Sequence, residues 1–390
     1  MRSSKWTRRI VIQGLIYVVG VGTGYADAPA PKWYDTTGIS GYLEGSYVGN
    51  LNRPNTKLNT DRLFDQESNS FNLNAFHLQI AKPVGDDGYG FTAKLHTGRD
   101  ARVIKSVGTA GATDFDIQEA YLTYVPNILN KKLTVYGGKF VTLDGVEVIE
   151  APMNPNFSEG LLFGFAEPFT HTGVKVNYAF TDKYNATLGV VNGWDTEADA
   201  NDGKTIIWQA SANPVKMLTW TFEGTYGPEA TTDNQSKRLS LDSVVSVMAT
   251  DKLSLWFQGN WGQDTNVTRA GGGTATDTVP TPPVPTVVGP STVRWSGAGV
   301  WVQYACNSWN TEALRFEVFN DQGGANRLGN GVNETMKAVT VTHKFQLAKN
   351  VFTRVEYRHD WSNQGVFTLH EPGRTGSNQS TISADYYVMF

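Results

Sequence analysis

The chain has 390 residues, 40% hydrophobic, 18% charged and 12% aromatic, with 40 glycines, one cysteine and a formal net charge of −4. A single cysteine excludes an internal disulfide and a cysteine-built zinc site, and low charge with abundant aromatics excludes a disordered chain. A mean hydropathy of −0.33, with no internal apolar run long enough to span, excludes a bundle of membrane helices. It does not exclude a membrane β-barrel, whose strands alternate apolar and polar residues and look hydrophilic on average.

The first 26 residues read as a cleaved export leader. Arg2, Lys5, Arg8 and Arg9 precede an apolar stretch from Ile10 to Gly24, and Gly24-Tyr25-Ala26 supplies small residues at the two positions a signal peptidase reads. Removing these residues, which include four basic and no acidic ones, leaves 29 basic against 37 acidic, a net charge of −8. Nothing in that balance suits nucleic acid, which calls for a basic excess. Residues 27–38 form an N-terminal periplasmic segment, and one domain spans 39–390.

From residue 39 the chain repeats a single pattern, in which alternating apolar and polar residues run to a turn or loop. Sixteen such segments are expected near 39–47, 70–81, 89–98, 116–125, 133–141, 172–180, 184–193 and 205–213. The rest follow near 217–227, 237–249, 252–262, 293–304, 310–319, 334–345, 350–360 and 379–390. In the third, Tyr89, Phe91, Ala93 and Leu95 share one face, while Thr92, Lys94 and His96 share the other. The second changes phase between Ala75 and Phe76, the mark of a β-bulge.

The connections alternate in length. Those after even-numbered strands are short, such as Thr181-Asp182-Lys183, whereas most of those after odd-numbered strands are long, such as 48–69, 99–115, 142–171 and 263–292. Short turns at one rim, long loops at the other and an even strand count are the pattern of an outer-membrane barrel. A soluble sandwich fits less well, because Lys, Arg, Glu and Asn recur on the polar faces while Trp, Tyr and Phe gather near strand ends. The fold expected is therefore all-β, a transmembrane antiparallel up-and-down barrel of about sixteen strands. The last strand ends on Tyr386, Val388 and Phe390, which resembles the terminal aromatic signature read by the bacterial barrel-assembly machinery.

A sixteen-stranded lumen is wide enough for water unless something narrows it. The third long loop, 142–171, is the candidate constriction, folded inward. It holds Asp144, Glu147, Glu150, Glu159 and Glu167 with no Lys or Arg, plus an apolar run, Leu161, Leu162, Phe163 and Phe165, that calls for a wall to pack on. Lys94, Lys175, Arg315, Arg354 and Arg358 fall on inward faces and are expected to form an opposing basic wall. Carboxylates in a narrow lumen attract cations. Taken one at a time, each carboxylate has the alternative of a solvated loop charge, and each Arg that of a salt bridge within the wall.

Several stretches of the chain resemble the OmpL-like β-barrel porins of Gram-negative bacteria. They are Gly41-Tyr42 with Asn52-Arg53-Pro54, Asn69-Ser-Phe71-Asn-Leu73-Asn74, and Gly145-Val-Glu147-Val-Ile-Glu150-Ala-Pro152-Met-Asn154-Pro-Asn156-Phe157-Ser158. Leu162-Phe163-Gly164, Pro168-Phe-Thr-His171-Thr-Gly173-Val174 and Asn192-Gly193-Trp194-Asp195 complete the set. The likeness covers the first half well and the second half only as generic strands. It implies a single-domain outer-membrane barrel with pore activity, and it supplies no catalytic residues.

No cofactor is expected. The six histidines show no paired metal spacing and no HExxH, and no Gly-x-Ser-x-Gly elbow or phosphate-binding glycine loop is present. The acidic run Asp195 to Gly203 misses the EF-hand spacing. The function expected is a porin passing small hydrophilic solutes, with a mild cation preference. Its partners would be outer-membrane lipid and lipopolysaccharide, the assembly machinery, and its own copies if it trimerises. Two other classes stay open: a barrel hydrolase using His359 near Asp360 and Ser362 or His370 near Glu371, and an adhesin acting through its loops.

Overall fold

The computed structural model describes residues 36–199, 201–230, 233–267, 291–322, 327–328 and 332–390. The leader over 1–26, residues 27–35 of the N-terminal segment and residues 268–290 of the loop expected at 263–292 lie outside the described residues.

All sixteen expected strands form. In chain order they are β1 (Gly38–Asn50), β2 (Ser70–Lys82), β3 (Tyr89–Thr97), β4 (Phe115–Tyr124), β5 (Leu133–Val141), β6 (Thr170–Ala179), β7 (Tyr184–Val191) and β8 (Thr205–Val215). β9 (Leu218–Ala230), β10 (Asp233–Met248), β11 (Leu253–Val267), β12 (Ser291–Ala305), β13 (Asn310–Gln322), β14 (Glu334–Ala348) and β15 (Val351–Ser362) follow. The short β16 (Phe367–Thr368) and β17 (Thr375–Gly376) pair only with each other in the last loop, and β18 (Asn378–Met389) completes the ring. Each strand pairs antiparallel with its neighbours, and β18 bridges β15 and β1, so the sheet closes without an edge. Closure lets every strand satisfy its backbone inside lipid.

Alternation decides which side chain faces where. Along β13, Arg315, Glu317 and Phe319 are buried in the interior, whereas Leu314 and Phe316 are exposed outside. Leu122, Val174, Leu188, Trp220 and Ile382 are likewise exposed on the outer face and form an apolar belt. Tyr89, Tyr124, Phe180, Tyr184, Tyr304 and Trp309 gird the rim of short turns, and Tyr47, Phe71 and Tyr226 stand near the other rim. Two aromatic girdles around an apolar belt suit a bilayer and its two interfaces.

The bulge in β2 lies one residue before the expected phase change. Glu44 pairs with Ala75 and Gly45 with Leu73, so Asn74 is the extra residue. β10 and β11 run beyond their expected ends, to Asp233 and Val267. Their tips are polar on both faces, where alternation vanishes although the ladder continues.

Candidate functional site

The connection between β5 and β6 spans residues 142–169, two fewer than expected, because Thr170 and His171 already belong to β6. Its base is closed by the Thr142 amide on the Phe169 carbonyl (3.0 Å), and the Asp195 carboxylate accepts the amides of Phe169 (2.7 Å) and Thr170 (2.9 Å). Gly145 turns the chain into the lumen with φ 91°, where a side chain would strike the Glu167 carboxylate. Asn154 then clasps Val148 like a second backbone, accepting its amide at 2.9 Å and donating to its carbonyl at 2.8 Å.

The loop crosses the lumen and is tied to walls on several sides. Near its start, Gln209 on β8 donates to the Leu143 carbonyl (2.9 Å) and Gln258 on β11 accepts the Val146 amide (3.3 Å). Glu147 accepts Arg315 of β13 at 2.6 Å and the Trp301 indole of β12 at 3.2 Å. Glu150 accepts Lys94 of β3 at 2.5 Å and Gln118 of β4 at 2.9 Å. Arg354 of β15 donates to the carbonyls of Ala151 (3.0 Å) and Asn156 (2.7 Å) while paired with Asp385 (2.6 Å) and Glu44 (2.9 Å). Arg358 reaches the Glu159 carbonyl at 2.7 Å, and Glu356 accepts the amides of Phe157 (2.7 Å) and Ser158 (3.1 Å). Such charge-assisted bonds are the strong ones where water is excluded.

The second half of the loop carries the short helix α2 (Leu161–Phe165). Leu161, Leu162 and Phe165 pack in a buried cluster with Trp295, Trp301, Phe319 and Met336 of the wall, as the apolar run required. Each such side chain contributes about 1.5–3 kcal/mol when fully buried. Gly160 lets the helix start sit directly against Glu317, whose carboxylate accepts the Leu162 amide at 3.0 Å; a Cβ there would overlap it.

Several placements differ from expectation. The acidic loop and the basic wall do not face each other across water: Lys94, Arg315, Arg354 and Arg358 all touch the loop and hold it. Arg315 also pairs within its own strand, with Glu317 at 3.0 Å, so the wall bridge and the loop contact coexist. Lys175 stands apart, its ammonium 4.1 Å from the Phe140 ring centre and 5.4 Å from that of Tyr136. An extended cation needs a counter-surface once water is scarce, and here the loop supplies it through carbonyls and carboxylates that periodicity does not display.

The loop carboxylates are not equivalent. Burial works against the ionised form of Glu150, but Lys94 and its hydrogen bond outweigh that and hold its pKa down at about 2. Burial, with Asp242 beside it, pushes the Asp144 carboxyl well above its ordinary range, and burial with Asp242 and Asp144 does the same for Glu167. The Glu159 carboxyl is also raised, by burial and then by Asp100 and Glu147 nearby.

Pattern reading missed a second inward loop. Between β1 and β2, buried Arg62 donates to Asp360 (2.5 Å) and also pairs with Asp65, and Phe64 stacks on Phe163 of α2 (ring centres 5.7 Å apart). An aromatic residue in a polar loop was the available signal. The short helix α1 (Arg99–Ile104) also turns Asp100 and Ile104 into the interior. The proposed His359, Asp360 and Ser362 grouping is split by the strand. His359 stacks on Trp361 and contacts Ser380 (2.8 Å), while Asp360 is held by Arg358 and Arg62 inside. His370 contacts the Arg53 carbonyl (3.3 Å). In the acidic run, Asp195 holds the base of the lumen loop and Asp199 pairs with Lys204. Tyr386 and Phe390 are exposed, on the outer face they share with Val388.

Solved structures share this architecture. An anion-selective porin from Comamonas acidovorans matches with a TM-score of 0.59 and 8% identity, over 91% of this chain and 99% of its own. The outer membrane channel DcaP of Acinetobacter baumannii matches with a TM-score of 0.54 and 12% identity, over 90% of this chain and 96% of its own, and OmpT of Vibrio cholerae matches with 0.54 and 12%, over 90% and 97%. At these identities the likeness shows the fold. No curated protein sequence matches the chain significantly. The family model described as "Putative beta-barrel porin-2, OmpL-like" matches residues 36–390. The chain therefore belongs to this OmpL-like family of bacterial outer-membrane β-barrel porins.

Proposed function

We propose that the barrel passes small hydrophilic solutes by passive diffusion, that loop 142–169 is its constriction, and that the channel mildly prefers cations. The observation that carries this is the loop itself, crossing the lumen and fixed to it through Glu147 and Glu150. The cation preference follows from the interior charge. Among the described residues, 16 buried carboxylates stand against five buried Lys and Arg, so the potential along the lumen is negative wherever they ionise. The five loop carboxylates contribute to that field unequally, because Glu147 and Glu150 are already paired.

The test is a planar bilayer with a salt gradient. A stable open channel with a cation-positive reversal potential supports the proposal, and a closed barrel counts against it. Glu147→Gln with Glu150→Gln leaves Arg315 and Lys94 without those partners and is expected to swing selectivity towards anions; unchanged selectivity would sink the assignment of the loop. The barrel is proposed to act without catalysis, and hydrolysis lost in His359→Ala would contradict that. A trimer form is described for Vibrio cholerae OmpT, and a homotrimer is the assembly we propose here, to be tested by the mass of the detergent-solubilised protein. The strand end at Tyr386, Val388 and Phe390 is proposed as the assembly signal, and lipid with lipopolysaccharide as the surroundings of the belt.

A further inference from the structure

We propose that the lumen on the short-turn side of the loop is a binding site for an amphipathic organic anion, a carboxylate on an apolar body, with Lys344 as its receptor. A cavity of about 800 Å³ opens there, within the range of about 300–1,000 Å³ typical of small-molecule sites. Val146, Val148 and Met153 of the loop form one side, and Trp256 and Met389 of the wall contribute further apolar surface. Lys94, Glu150, His77 and Lys344 are the charged or titratable side chains besides Tyr42 that line it.

Lys344 differs from the other cation. Lys94 is held by Glu119 and Glu150, each at 2.5 Å, and His77 lies 3.9 Å from the same Glu150. On the Lys344 side, Glu44 and Asp385 are both claimed by Arg354. Among the described residues, the Lys344 ammonium has neither an ion pair nor a hydrogen bond. Its ammonium rests 5.4 Å from the Phe352 ring centre and 5.6 Å from that of Tyr387. Arg354 approaches the same Tyr387 ring at 5.2 Å, so two cations share one aromatic. Ring faces attract an ammonium without neutralising it. A positive charge thus remains beside an apolar chamber, and a ligand with an anionic head and an apolar body satisfies both. This goes beyond the porin proposal, adding a ligand class to the channel and placing one anion-seeking point in an otherwise acidic interior.

The test uses the full refolded protein in detergent micelles, where binding is read whether or not the pore conducts, so failure here is separate from failure of the channel proposal. Benzoate, the neutral benzyl alcohol and the cationic benzylamine are titrated calorimetrically. Benzoate is expected to bind at least tenfold tighter than benzyl alcohol, which also reports partition into the micelle. Lys344→Gln is expected to erase that margin and Lys344→Arg to keep it. Benzylamine binding tightest, equal affinities for benzoate and the alcohol, or a margin that survives in Lys344→Gln would each overturn the proposal. The comparison of the three probes on the unaltered protein decides the matter even if a variant fails to fold.

Discussion

Replacing Arg315 with Met removes the cation at the centre of the loop's attachment. Its guanidinium is fully buried and reaches Glu147 (2.6 Å) and the Ser158 carbonyl (2.5 Å) on the loop, and Glu317 (3.0 Å) and Thr340 (3.1 Å) on the wall. The variant leaves two carboxylates without that counter-charge and away from water. Breaking a buried pair from one side costs about 3–5 kcal/mol. Some of it is offset, because Glu147 keeps the Trp301 indole (3.2 Å) and the Gly160 amide (2.6 Å), and Glu317 keeps the Leu162 amide. The lower end, about 3 kcal/mol, is therefore expected, a factor of about 10² in the docking equilibrium. Strand ladders are untouched, so the loss falls on the loop rather than the ring. Single-channel recording should show larger mean conductance with added open-channel noise, as the loop leaves and re-docks. Adding Glu147→Gln should recover part of the loss, because one stranded charge is then gone. Conductance and noise identical to the parent, with an unchanged thermal midpoint, would refute the idea that this ion pair holds the loop.

Three further outcomes follow from the same geometry. Gly160→Ala should destabilise by about 1–3 kcal/mol, the usual range for overpacking, because its Cβ overlaps Glu317; Gly164→Ala, with Leu63 at 3.3 Å, should be far milder, and equal midpoint shifts would contradict this. Glu150 is held at about 2, below its ordinary 4.5, so its contribution is complete above that ordinary value and is lost as pH falls towards 2. Glu150→Gln should flatten the fall in thermal midpoint over that window, and parallel curves would count against the pairing with Lys94. Asp144 shows the opposite sign: its raised pKa favours the protonated loop, with stability lost as pH rises above the ordinary carboxylate range. Asp144→Asn should then gain on the parent as pH increases, whereas a gap that narrows would overturn the buried-carboxyl account.

Alternation along the strands carried most of the architecture. Leu314, Arg315, Phe316 and Glu317 alternate with period two, and that period alone assigns one pair to lipid and the other to the lumen, as found. Loop lengths then separated the two rims, and the apolar run Leu161–Phe165 on an otherwise acidic loop required an inner wall. No local signal announced Arg62 with Asp360, which are 298 residues apart, or Arg354 with Glu44, which are 310 apart.

The sequence by itself determined the strands, their facing and the inward loop, because these depend on short-range periodicity and on where apolar groups can hide. Only the tertiary structure decided what the charges do. Closing the ring and lowering the loop into it brings Lys94, Arg315, Arg354 and Arg358 against acceptors on that loop, which turns an expected open field into a set of clamps. The same closure leaves Lys344 over two aromatic rings with no carboxylate among the described residues to hold it. Burial makes each pairing strong and each exception consequential, and burial is a property of the assembled barrel.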